Sequence, residues 1–194
     1  MIKGLLSGIF LTIVAIFGGV YLYFATGHAP VATDAREMPF EHKMAHIALD
    51  AYLDKLPHLN SPVPADENNF LEGATIYKEQ CAACHGLPDL PKTPIADGMF
   101  PKPPQLFHGT GVTDDEAWQT YWTISGGIRM TGMPGFKAHL SETQMWQVAV
   151  LLKNADKIPA TVKARLLAPM NSPPIVTTPM SGSTPEAGHD HSKH

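Results

Sequence analysis

The sequence predicts an all-α protein, and three observations carry that reading. Apolar residues recur at helical spacing in three separate stretches, two Thr/Ser-x-x-Glu/Gln boxes mark helix starts, and nothing alternates convincingly as a strand.

The elements follow in chain order. After Met1-Ile2-Lys3, the run Leu5 to Phe24 is almost wholly apolar, with no Asp, Glu, Lys or Arg between Lys3 and Asp34. Twenty helical residues cover roughly 30 Å, the thickness of a bilayer's hydrocarbon core. A cleavable signal peptide is the competing reading, with a small-x-small site at Ala25-Thr26-Gly27. Its apolar region would be shorter, roughly 7–15 residues, and Tyr21 and Tyr23 suit an interfacial anchor. Residues 1–27 are therefore expected to be a retained transmembrane helix, with Lys3 inside and the rest of the chain outside.

Residues 28–65 form a connector. Phe40, Met44, Ile47, Ala48 and Ala51 lie at helix-like spacing and Pro57 stops the run. An amphipathic helix here could lie on lipid, on a partner subunit or on the following domain. His42 and His46 have the i, i+4 spacing of metal ligands, with no third ligand in view. Ser61-Pro-Val-Pro64 leads into the main domain, residues 66–158. There Phe70, Gly73, Ala74, Tyr77 and Cys81 form one helical face. Thr113-Asp-Asp-Glu116 is expected to cap a helix carrying Trp118, Tyr121 and Trp122 that stops at Gly126-Gly127. Ser141-Glu-Thr-Gln144 caps another, with Met145, Val148, Ala149 and Leu152 on one face and Asn154 near its end. Residues 159–194, apart from a short helix at 161–167, are expected to be a disordered Pro/Ser/Thr-rich tail. Its His189, His191 and His194 fit a solvated terminus better than a metal site.

Composition narrows the function classes. In 194 residues only 16% are charged and the formal net charge is −4, so nothing points to nucleic acid. The chemistry concentrates in Cys81-Ala82-Ala83-Cys84-His85, the spacing of a covalent c-type haem attachment site. Two thiols add across the porphyrin's vinyl groups, and the following imidazole falls under the iron. A structural zinc site would want four ligands, usually with a second cysteine pair, and the chain has two cysteines in all. A thioredoxin-like pair would sit in a βαβ context, and none is nearby.

A haem iron held by His85 has one axial position left, and methionine suits it. Met133 is favoured because Gly132-Met133-Pro134-Gly135 can approach a porphyrin closely, with Pro134 restricting the backbone. Met130 is the alternative. Methionine is also common core filler, so its place in this loop is what separates Met133 from the other eight.

With these residues in place, the segment resembles a class I cytochrome c domain, a small monohaem all-α fold. The Cys81-Cys84-His85 motif follows Gly73 and Tyr77, Pro104-Gln105-Leu106 is similar to the family's Pro-x-Leu, and Gly132-Met133-Pro134 is similar to its distal methionine loop. The resemblance covers about half the chain and departs from the family at the proline-rich stretch from Gly86 to Pro101. It implies one covalent haem c with His85 and Met133 as axial ligands. It implies that Gly73 lets the first helix cross the last closely, that Pro104 accepts the His85 ring N–H, and that Leu106 packs on haem. Arg129 and Trp118 are candidates for the haem propionates.

The expected function is electron transfer at the outer, periplasmic face of a bacterial inner membrane, as a single-pass carrier or a subunit of a respiratory complex. Redox proteins or such a complex are the expected partners. The small cytochrome subunit of bacterial nitric oxide reductase shares this anchor-plus-monohaem plan. An enzyme or gas sensor with a labile sixth ligand is disfavoured by Met133. Acidic residues outnumber basic ones between Asp66 and Lys157, so a strongly acidic partner is not expected.

Overall fold

The structure is a computed structural model that describes residues 2–108 and 113–169. Every regular element among the described residues is helical, in the order α1 (Ile2–Ala25), α2 (Glu41–Leu53), α3 (Glu67–Gln80), α4 (Ala82–His85), α5 (Pro94–Gly98), α6 (Ala117–Gly126), α7 (Glu142–Lys153) and α8 (Ala160–Leu167). The all-α expectation holds.

Local chemistry sets the helix boundaries. At α3, the Asp66 carboxylate accepts from Asn69 N at 3.0 Å, so one otherwise orphaned donor of the first turn is satisfied. At α7, Ser141 and Gln144 form the expected reciprocal box. The start of α6 differs from expectation. Glu116 is itself the cap, and its backbone N–H donates to Gln119 Oε1 at 2.7 Å. Residues 113–115 stay outside the helix because Lys153 Nζ holds both the Thr113 carbonyl, at 3.2 Å, and the Glu116 carboxylate, at 3.0 Å.

Helix α3 packs across α7, with α6 on α7 and α8 on α3. The α3–α7 crossing is close because Gly73 has no side chain. A Cβ there would press into the Gln147 carbonyl group, whose carbon would lie only 2.8 Å away. Gln147 Nε2 also donates to Asn69 Oδ1 at 3.1 Å, which fixes the crossing along the helix. Contacted on two sides, α7 buries Met145, Trp146, Val148, Ala149, Val150, Leu151 and Leu152. The single periodic face expected for it is only part of what it buries.

The packed unit extends past residue 158, which corrects the expected boundary with a flexible tail. Val162 and Leu166 of α8 are fully buried in the core. Lys78 Nζ donates to the Arg165 and Ala168 carbonyls at 3.1 and 2.5 Å, satisfying the orphan acceptors at the end of α8. Thr161 Oγ1 donates to Glu67, and Lys163 pairs with Asp89. The remaining tail, with His189, His191 and His194, lies outside the described residues.

The connector docks through its end. Leu53 is buried, Trp122 Nε1 donates to Pro57 O at 3.0 Å, and His58 stacks on Trp118 with ring centroids 4.1 Å apart. The face of α2 carrying Phe40, Met44 and Ile47 stays exposed. Helix α1 is 24 residues long with none buried, and is long and apolar enough to cross a membrane.

Leu166→Ala is expected to lower the unfolding free energy of the haem-loaded protein by about 2–5 kcal/mol. Leu167→Ala, at a neighbouring exposed position, should stay within about 0.5 kcal/mol. Denaturant titration of both variants measures the contrast, and equal small effects would return α8 to the tail.

Candidate haem site

The attachment motif is shaped by one helical turn continuing from α3. Cys81 caps α3, and its carbonyl accepts from Cys84 N at 3.1 Å and from His85 N at 2.9 Å. Residues 81, 84 and 85 are therefore i, i+3 and i+4, the spacing that puts side chains on one helix face. Gly86 ends the turn with φ +73. Its carbonyl accepts from the buried Tyr77 hydroxyl at 2.8 Å, and Tyr77 meets Phe107 edge-on at 5.1 Å. Burial, reinforced by neighbouring Cys81, drives the Tyr77 pKa up, so it remains a hydrogen-bond donor.

Both cysteines are half-buried and unbridged. Burial first, then the neighbouring Cys84, pushes the Cys81 thiol up to about 12. It is thus a neutral thiol rather than an activated thiolate. Burial pulls the His85 pKa down, and the contact with Pro104 only partly opposes this. His85 Nδ1 lies 2.9 Å from Pro104 O. A carbonyl can only accept, so Nδ1 carries the proton and Nε2 keeps its lone pair for a metal.

The Met133 loop is held by backbone. Phe136 N donates to Ile124 O at 2.9 Å and Ile128 N to Met133 O at 3.2 Å, so the loop folds back along the end of α6. Glycines permit this. Gly127 has φ +65, and a Cβ on it would lie 2.5 Å from Gly135 N. Gly135 is equally crowded by Gly126, 2.8 Å from its carbonyl oxygen. Thr131 Oγ1 accepts from Met133 N at 3.1 Å. The two methionines separate clearly. Met133 is half-buried and packs on the same core as Cys81, Leu106 and Phe107, whereas Met130 is 92% exposed with φ +60.

The proline-rich stretch after Gly86 closes over the motif. Thr93 Oγ1 donates to Ala83 O at 2.5 Å and caps α5 by accepting from Ala96 N. The Met99 methyl sits against Gly132, which ties this stretch to the Met133 loop. Met99 was not singled out in sequence, because nothing local distinguishes it. Trp118 is stacked on His58 rather than free to turn elsewhere, and Arg129 is exposed. Lys92, Lys102, Arg129 and Lys137 are all exposed on these two loops. Asp89 and Asp97 are exposed on the first of these loops as well, and further acidic residues gather at the starts of α3 and α6.

These residues fit a covalent haem. Two thiols and a neutral imidazole with a free Nε2 lie on one helical turn, and a half-buried thioether packs on the same core. Gln105 adds a second sign. Its amide is buried against Gly86, and neither Oε1 nor Nε2 has a protein partner among the described residues. Trp146 Nε1 is likewise buried without one. Buried polar atoms in a native protein nearly always have a partner, so polar atoms of a bound group are the natural complement. Residues 68–152 match the family described as cytochrome C oxidase, cbb3-type, subunit III. No curated protein and no solved structure matches the chain.

Tyr77→Phe leaves the buried Gly86 carbonyl without its donor. The expected loss of stability is about 1–3 kcal/mol, measured by denaturation of the haem-loaded protein, with its visible spectrum retained.

Proposed function

From the premise that residues 68–152 are a class I c-type cytochrome domain bearing covalent haem c, we propose that the chain relays single electrons at the outer face of a bacterial inner membrane. When bound, the haem would supply a one-electron iron couple. Cys81 and Cys84 would hold it covalently, His85 Nε2 and the Met133 thioether would donate to its iron, and Leu106 would pack beside it. The observation that carries the reading is the pairing of a His85 ring oriented by Pro104 O with a Met133 half-buried in a pinned loop.

Two protein ligands leave no coordination site for substrate, which suits electron transfer rather than catalysis. A carbonyl on Nδ1 raises the imidazole's basicity as a ligand, and a methionine opposite histidine raises the reduction potential relative to two histidines. The backbone bonds that pin the Met133 loop hold the ligand in both oxidation states, which limits reorganisation. Helix α1 is the anchor, and haem attachment outside the membrane agrees with the orientation read from Lys3.

A place inside a larger complex is the second reading, favoured by the exposed Phe40, Met44 and Ile47 on α2. The matched family's description names an oxidase subunit, and a nitric oxide reductase-type assembly has the same plan. Copurification from mild detergent with a large membrane subunit would select this reading over a free carrier.

In ferric visible and near-infrared spectra, Met133→Ala should abolish the methionine–iron charge-transfer band, whereas Met130→Ala should keep it. High-spin ferric iron in the unmodified protein would overturn the relay. The protein should stay in the membrane fraction through high-salt and alkaline washes. Release by either wash would remove the anchor.

A further inference from the structure

Helix α2 carries a pair of groups that the haem reading does not use. His42 and His46 are exposed, one turn apart, with Nε2 atoms 3.2 Å from each other and ring centroids 4.3 Å apart. Two imidazole nitrogens bound to one cation at about 2.0–2.1 Å would be about 3.3 Å apart in tetrahedral geometry and about 2.9 Å in square-planar geometry. The observed separation falls inside that interval, so both rings can reach a common ion with little motion.

We propose that His42 and His46 form a bidentate site for a divalent transition-metal ion, with its remaining positions open to water or an outside ligand. The donor set selects the class. Neutral imidazole suits Cu²⁺, Ni²⁺ and Zn²⁺ better than Mg²⁺ or Ca²⁺, and the Irving–Williams order makes Cu²⁺ the tightest. Among the described residues no third His, Cys, Asp or Glu joins the pair, which makes the site open rather than structural.

The surroundings favour a cation. Asp50 lies one turn beyond His46 on the same stripe of α2. It is close enough to Asp115 to help hold that carboxyl's pKa up, after burial and Asp114 and against the Lys153 cation. A carboxylate one turn from the pair attracts positive ions, against the adjacent Lys43. A bound ion would cross-link adjacent turns of α2, the helix between the membrane anchor and the haem domain. It would stabilise that helix only while bound.

The experiment uses the full haem-loaded chain in detergent, with His189, His191 and His194 replaced by Ala to silence the tail. Cu²⁺ titration by calorimetry should show one site, weakened at least tenfold in His42→Ala and in His46→Ala and unchanged in His139→Ala. The electron paramagnetic resonance spectrum at one equivalent of Cu²⁺ should show two coordinated imidazole nitrogens. Retained haem absorption and helix content show that each variant is folded. Equal Cu²⁺ affinity in the His42→Ala/His46→Ala double variant, or a single coordinated nitrogen, would overturn the site. An N–H···N hydrogen bond between the rings would then account for their separation.

Discussion

The close crossing of α3 over α7 is the constraint on which the other elements depend. It exists because Gly73 presents no Cβ to the Gln147 carbonyl. With backbone against backbone, α3 stops at Cys81 in a defined place, and the next helical turn carries the second thiol and the imidazole. On its other side, α7 supports α6, whose last carbonyls hold the Met133 loop. One helix contact thus positions Cys81, Cys84, His85 and the Met133 loop. A side chain at residue 73 would force the helices apart and disturb all of them.

The site itself is set mainly by backbone. Pro104 O orients the His85 ring, Gly86 O takes the Tyr77 hydroxyl, Ala83 O takes Thr93, and Ile124 O holds the methionine loop. Backbone carbonyls cannot swing between rotamers as side chains can, so they hold these groups in fixed positions. The same loops expose four cations together with Asp89 and Asp97, while further acidic residues gather at the starts of α3 and α6.

The connector meets the haem domain through specific contacts. Trp118 and Trp122, on the outer side of α6, receive His58 and Pro57. Leu53 is buried at the end of α2, while the face carrying Phe40, Met44 and Ile47 stays open. Stacking and the Trp122 indole hydrogen bond favour one orientation of the domain on its tether over free swinging.

The sequence by itself determined what is encoded locally. These features include the helical class, the Cys81–His85 motif and the Ser141–Gln144 cap. Spacing and backbone chemistry within a few residues suffice for each. Only the tertiary structure decided what depends on distant partners. The cap of α6 moved to Glu116 because Lys153, on another helix, takes the Thr113 carbonyl. Helix α8 joined the core because α3 offers it an apolar seat and the Lys78 ammonium closes its end. Trp118 met His58, the orphaned Gln105 amide emerged beside the motif, and Met99 reached the Met133 loop through Gly132. No periodicity encodes such pairings, because each partner lies tens of residues away and is chosen by packing.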